Sequence, residues 1–206
     1  VDSEMLNKTS FVTILQTTVF NQTDWDTAAD NLAIAIDNYY KSGVVETDVT
    51  GTVTPPFPAT TYTSNGIGKG SPVTTTLASL KAQCKIAFQQ TDWSLVGPII
   101  ANEINNLIIS STLSTVVAPG TPPPILQTLV GTGASTAVST NSSDVITLGV
   151  NLSNIFKQND TIWDIIVSDI VDEIDDFIKK PVFSTKDNGI IPINSWDGTG
   201  SGSITS

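Results

Sequence analysis

The chain has 206 residues, 39% of them apolar, which is enough to bury a core as one domain or as a few small repeated units. Its nine basic residues are all lysine, and with 20 acidic residues and no histidine the formal net charge is −11. This balance argues against a grip on nucleic-acid backbones, which depends on cationic side chains. The lack of histidine excludes Ser-His-Asp and Cys-His catalysis and imidazole metal sites.

The chain opens with VDSEMLNK and not with a basic-then-apolar signal, and no apolar run approaches the roughly 18 residues of a membrane helix. A soluble mature chain with no membrane partner is expected. The segment SEMLNKTSFVTILQTTVF reads as a weak helix ending at Phe20. TDWDTAADNLAIAIDNYYKS follows, with an apolar stripe on Trp25, Ala28, Ala29, Leu32, Ile36, Tyr39 and Tyr40 and with Thr23 or Asp24 as cap, predicting a helix over 24–41. VVETDVTGTV suits a strand. Pro55, Pro56, Phe57 and Pro58 in TPPFP then stiffen the chain and remove backbone donors, predicting an edge or protruding arm. Gly66, Gly68 and Gly70 in GIGKGS lack phosphate-loop spacing and read as turns with positive φ or as close backbone approaches.

A second passage has the same layout. TTTLASLKAQCKIAF reads as a helix ending at Phe88, and its Cys84, the only cysteine, reads as a small apolar-like residue on a helix face, although Lys81 and Lys85 beside it would favour a thiolate. The stripe recurs on Trp93, Val96, Gly97, Ile100, Ile104, Leu107 and Ile108, predicting a helix over 94–110. STLSTVVA, the prolines Pro122, Pro123 and Pro124, and Gly131 and Gly133 in GTGAS complete it. In the third passage SDVITLGVNLSNIF ends at Phe156, and Trp163, Ile166, Val167, Ile170, Ile174, Phe177 and Ile178 predict a helix over 162–180. PVFST and GIIPINSW follow, without the double proline, and then Gly198, Gly200 and Gly202 in GTGSGS.

The polar pairs Asp37-Asn38, Asn105-Asn106 and Asp175-Asp176 match across the three stripes and are expected to face solvent. Each passage also shares Phe-x-Gln before its second helix. The expected fold is therefore α+β with three tandem repeats of about 68 residues, at 1–70, 71–138 and 139–206. Each repeat would be a helix pair, a short β arm and a glycine-rich turn. Trp25, Leu32, Ile36, Trp93, Ile100, Ile104, Trp163, Ile170 and Ile174 form the expected repeat core, and the prolines and glycines named above, with Phe57, are the candidate assembly contacts. The sequence leaves open whether the repeats form a pseudo-threefold or a row.

Six carboxylates crowd the third helix (Asp164, Asp169, Asp172, Glu173, Asp175 and Asp176), and their helical layout reads as a solvated face and not as a calcium loop. No catalytic, cofactor or metal residue is expected. Five glycosylation sequons, at Asn7, Asn21, Asn141, Asn151 and Asn159, are close to the chance number for a chain with 50 Ser and Thr, so they do not indicate a compartment.

LAIAIDNYYKS followed by a Val/Thr strand, TVTPPFP and GIGKG resembles structural proteins of tailed-phage virions over residues 24–71, and less so beyond. The resemblance implies a non-catalytic subunit of capsid, neck or tail. Its partners would be other virion proteins and copies of itself, met through extended arms by strand addition. The alternative is an extracellular module of a bacterial surface or cell wall, such as an adhesin. A third reading is a carboxylate-dependent glycan hydrolase with Asp24 beside Trp25 or Asp197 beside Trp196.

Overall fold

The computed structural model describes residues 7–54, 62–119, 129, 131–158, 163–191 and 194–205. Six α-helices and seven strands follow in the order α1 (Lys8–Ile14), α2 (Trp25–Ser42), β1 (Val44–Thr54), β2 (Tyr62–Gly70), β3 (Pro72–Val73), α3 (Leu77–Phe88), α4 (Val96–Ile109), β4 (Thr112–Pro119), β5 (Gly131–Ser139), α5 (Ser142–Lys157), α6 (Trp163–Ile178), β6 (Val182–Ile191) and β7 (Asn194–Thr205). The helices anticipated over 24–41, 94–110 and 162–180 are α2, α4 and α6. Asp24 starts α2 by accepting from the backbone N–H of Thr27 at 3.1 Å and that of Asp26 at 3.3 Å. In α4, Pro98 sits in the first turn, where a missing N–H leaves no helical bond unmade.

One local irregularity follows from threonine chemistry. After α1 the chain widens into a π-turn over Leu15–Val19. The hydroxyls of Thr13, Thr17 and Thr18 donate to the carbonyls of Thr9, Thr13 and Ile14 at 3.0, 2.8 and 2.7 Å, drawing those carbonyls away from the regular ladder.

The tandem-repeat architecture expected from the sequence is corrected by the sheet. A helix pair followed by strands does recur three times along the chain, but the strands do not form separate arms. β1–β2, β4–β5 and β6–β7 are antiparallel hairpins, and they also pair with one another through β2–β4, β5–β6 and β7–β1, closing a six-stranded antiparallel barrel. β3 adds a two-residue pairing on β4 outside the ring. The physical reason is edge satisfaction. A lone hairpin exposes unpaired backbone groups on both flanks, and three hairpins closed on each other leave none of those flanks open.

The helix–strand junctions at β1, β4, β5 and β6 all lie at one end of the barrel. The helices pack in a ring, each against the next, with α6 returning to α1. Their apolar faces share a single core that reaches into the near end of the barrel at Val45, Leu113, Phe183 and Ile204. A second small cluster of Val49, Val53, Val117, Leu129 and Trp196 fills the far end.

Six strands enclose less space than the eight of a barrel just wide enough to be filled by side chains. The sequence resolves this by giving one strand of each hairpin glycine on the inner face. Thr47, Thr115 and Thr185, all buried, lie directly opposite Gly68, Gly133 and Gly200. A Cβ on Gly68 would stand 2.4 Å from Thr47 Oγ1, and one on Gly200 would stand 2.5 Å from Thr185 Oγ1.

Candidate functional site

The residues singled out in the sequence do not converge on one place. The proline arms at Pro55, Pro56, Phe57 and Pro58 and at Pro122, Pro123 and Pro124 lie outside the described residues. The glycines offered as turns or assembly contacts (Gly66, Gly68, Gly70, Gly131, Gly133, Gly198, Gly200 and Gly202) lie within strands β2, β5 and β7, none with a left-handed φ. They permit close approach inside this chain. A Cβ on Gly131 would meet the Asn188 carbonyl at 2.0 Å, and one on Gly202 the Glu46 carbonyl at 1.7 Å.

Of the expected repeat core, Leu32, Ile36, Ile100, Ile104, Ile170 and Ile174 are buried. Trp25 and Trp93 depart from it, being 57% and 37% exposed. Both stand at the start of the second helix of their pair, beyond the reach of the central core, so their rings lie over the end of the helix ring. The Trp163 side chain lies outside the described residues. Trp196, considered for sugar stacking beside Asp197, is 2% exposed inside the barrel and offers no face to a ligand.

Two sets of buried or half-buried polar groups escaped the sequence reading. The first member of each polar pair expected to face solvent turns inward and ties its helix to the start of a neighbouring one. Asp37 accepts from Thr74 Oγ1 at 2.5 Å and pairs with Lys41, while Asn105 accepts from Thr140 Oγ1 at 2.6 Å. Asp175 closes the ring, accepting from Tyr39 Oη at 2.8 Å and pairing with Lys179 at 2.9 Å and Lys8 at 3.2 Å. Burial opposes ionisation of Asp175, yet the bonds from Lys179, Tyr39 and Lys8 hold its carboxyl below the ordinary value. Burial, seconded by Asp175, pushes the Tyr39 phenol up.

The second set is in the barrel. Asp187 is fully buried, accepting from Thr185 Oγ1 at 2.6 Å and Thr115 Oγ1 at 3.1 Å, in the space opened by Gly133. This arrangement is buried and hydrogen-bonded within the barrel. The alternation Gly-x-Gly, with its period of two, was the available signal for an inward strand face.

The acidic helix α6 is only partly a solvated face, since Asp175 is buried. Exposed Asp172 and half-buried Asp169 and Glu173 line a surface cavity of about 360 Å³ between α5 and α6, bordered also by Asn151 and Asn154. Asn151 Nδ2 donates to Glu173 at 2.8 Å, and Lys8 pairs with Asp172 at 2.7 Å. Among the described residues no group of three or more His, Cys, Asp or Glu is placed to hold a metal ion, and no helix is long and apolar enough to cross a membrane. Cys84 is buried, and burial pushes its thiol up to about 12, a direction opposite to the activation that Lys81 and Lys85 would give.

The feature with the character of a recognition surface is the far end of the helix ring. Phe88 and Phe156, at the ends of α3 and α5, meet edge to face at 6.2 Å. Trp25 leans on Phe88 at 5.9 Å, and Trp93 stacks on Phe156 at 6.3 Å with an interplanar angle of 21°. The result is a continuous aromatic row in which Phe88 is buried, Phe156 is half-buried and the two indoles reach solvent, with half-exposed Leu95 two residues after Trp93. Asp24 and Asp92 precede the two tryptophans. Each carboxyl is held below its ordinary value, chiefly by the hydroxyl of Thr27 and of Ser94 respectively, so both are anionic at neutral pH. No protein-family model, no curated protein and no solved structure matches this chain.

Proposed function

We propose that the chain is a non-catalytic structural subunit of a virion, assembled with other virion proteins and copies of itself. The observation that supports this reading is the aromatic row Trp25–Phe88–Phe156–Trp93 on the ring of helices, with its two end indoles exposed. Large exposed indoles on a fixed scaffold are the residues that anchor protein interfaces. The closed barrel adds to it. With its strands paired around the ring, the chain associates through its surfaces and does not offer its own barrel edges.

The test is stoichiometry. The copy number of the chain in purified particles from its source is measured by quantitative mass spectrometry, and its mass in isolation by analytical ultracentrifugation. A fixed integer copy number in a symmetric particle is the expected result. Absence from any particle overturns the reading.

A second reading, an extracellular module of a bacterial surface or cell wall, draws on the same exposed Trp25, since an accessible indole can also stack on a sugar ring. Saturable binding to purified cell-wall glycan, lost in Trp25→Ala, would favour it.

A further inference from the structure

We infer that the aromatic end centred on Trp25 docks a cationic segment of a partner protein, an arginine- or lysine-bearing stretch laid over the indole. The inference rests on the assembly reading in taking this end as the docking end, and adds the chemistry of the occupant.

Charge complementarity selects it. Trp25 is 57% exposed, and Asp24 and Asp26 flank it in the chain, both exposed. Lys85 stands close enough to Asp24 to favour its charged form and is also paired with Asp30 at 3.1 Å, so one cation faces three carboxylates, Asp24, Asp26 and Asp30. At Trp93 the balance is even, because Lys157 stands close enough to Asp92 to favour its charged form.

Of the two helix ends at this place, one offsets part of the Asp24 charge and the other adds to the negative field. The positive N-terminus of α2 is already answered by Asp24, which accepts from Thr27 Oγ1 at 2.5 Å as well as from backbone. α3 ends beside Trp25 at Phe88, bringing the negative end of its dipole to the same place. An indole face in a negative field attracts guanidinium or ammonium through its quadrupole. A neutral sugar would gain the stacking and nothing from the charge, and an acidic partner would be repelled.

The experiment titrates the purified full chain with a glycine-spaced hexa-arginine peptide and a hexa-lysine counterpart, following tryptophan fluorescence and heat. A glycine-spaced hexa-glutamate peptide and a neutral chitin oligosaccharide serve as the other arms. Saturable binding of the cationic peptides is expected, stronger for arginine and weakened by added salt. Trp25→Ala should weaken it about fivefold or more. Asp24→Asn with Asp26→Asn should weaken it as well while keeping the helix cap, since asparagine caps as well as aspartate. Trp25→Phe keeps the contact with Phe88 and should bind at intermediate strength, which guards against a folding artefact.

No saturable response to either cationic peptide, or equal binding by Trp25→Ala, overturns the inference, and a response to the oligosaccharide alone overturns it in favour of sugar stacking. A chain present at integer copy number in particles yet indifferent to these peptides would sink only this inference. Peptide binding by a chain absent from particles would instead sink the assembly reading.

Discussion

Replacing Asp175 tests the closure of the helix ring. Its residue is 1% exposed, while the side chains of its partners Lys8 and Lys179 are 42% and 30% exposed. Asp175→Ala removes three interactions together and leaves the Tyr39 hydroxyl without its acceptor. An orphaned buried hydroxyl costs about 1–3 kcal/mol, and breaking a fully buried ion pair costs about 3–5 kcal/mol. The lysines reach water, so the ionic part must be discounted heavily, and a total of about 2–3 kcal/mol is expected. Asp175→Asn keeps shape and one acceptor for Tyr39 and should lose about 1–2 kcal/mol.

The pH dependence gives the sharper check. The folded carboxyl titrates below the ordinary value of 3.8, so its contribution is fully present above that value and is lost as pH falls through the folded one. In urea melts followed by far-UV circular dichroism, the gap between the native chain and Asp175→Asn should be constant from pH 7 to about 5 and should shrink towards pH 3. A gap that stays unchanged down to pH 3, or an alanine variant within about 0.5 kcal/mol of the native chain, refutes the reasoning.

Three further outcomes are expected. Gly133→Ala places a methyl 1.8 Å from Asp187 Oδ1 and 2.5 Å from Thr115 Oγ1 and should prevent barrel closure, read as loss of the cooperative melt, with partial recovery in Gly133→Ala/Asp187→Ala. Ile104→Ala, at a fully buried stripe position, should destabilise by about 2–5 kcal/mol, whereas Trp93→Ala, removing a larger but 37% exposed side chain, should cost less in the same melts. Cys84 should resist a thiol reagent at pH 8 in native buffer and react fully in denaturant, because it is buried and its thiol is pushed up to about 12.

The helices were legible because a stripe repeated every three to four residues is a local signal, and the positions Leu32, Ile36, Ile100, Ile104, Ile170 and Ile174 carry it without interruption. The same stripe misled at its margins. Each long helix is covered by neighbouring helices on two sides, so the buried arc is wider than a single apolar face, and Asp37 and Asp175 fall inside it, with half-buried Asn105 at its margin, although their chemistry looks solvent-facing. Trp25 and Trp93 show the converse, continuing the stripe past the end of the core. The barrel was illegible because the pairing of β1 with β7 is long-range and leaves no mark on either segment. Gly66, Gly68 and Gly70 were visible as a spacing, but a spacing of two fits a turn or a strand face, and only the opposed threonines decide between them. The aromatic row could be read only as separate residues, since it joins the ends of four helices.

The pairing of β7 with β1 also has a temporal side. Val49 and Gly200 are partners in the ladder yet lie roughly 150 residues apart in the chain. During synthesis at about 5–20 residues per second, β1 therefore waits on the order of ten to thirty seconds for its neighbour. Over that interval Val45 and Val49 have no closed lumen to enter, and the first hairpin carries an open flank. Contacts of such separation also slow folding once the chain is complete. The ribosome thus releases the last staple of the barrel after all the other strands, and a chain truncated before Asn194 would lack β7 and leave β1 and β6 without their common neighbour. Incomplete copies would remain open and sticky, a natural target for proteases, and only finished copies would reach the closed form.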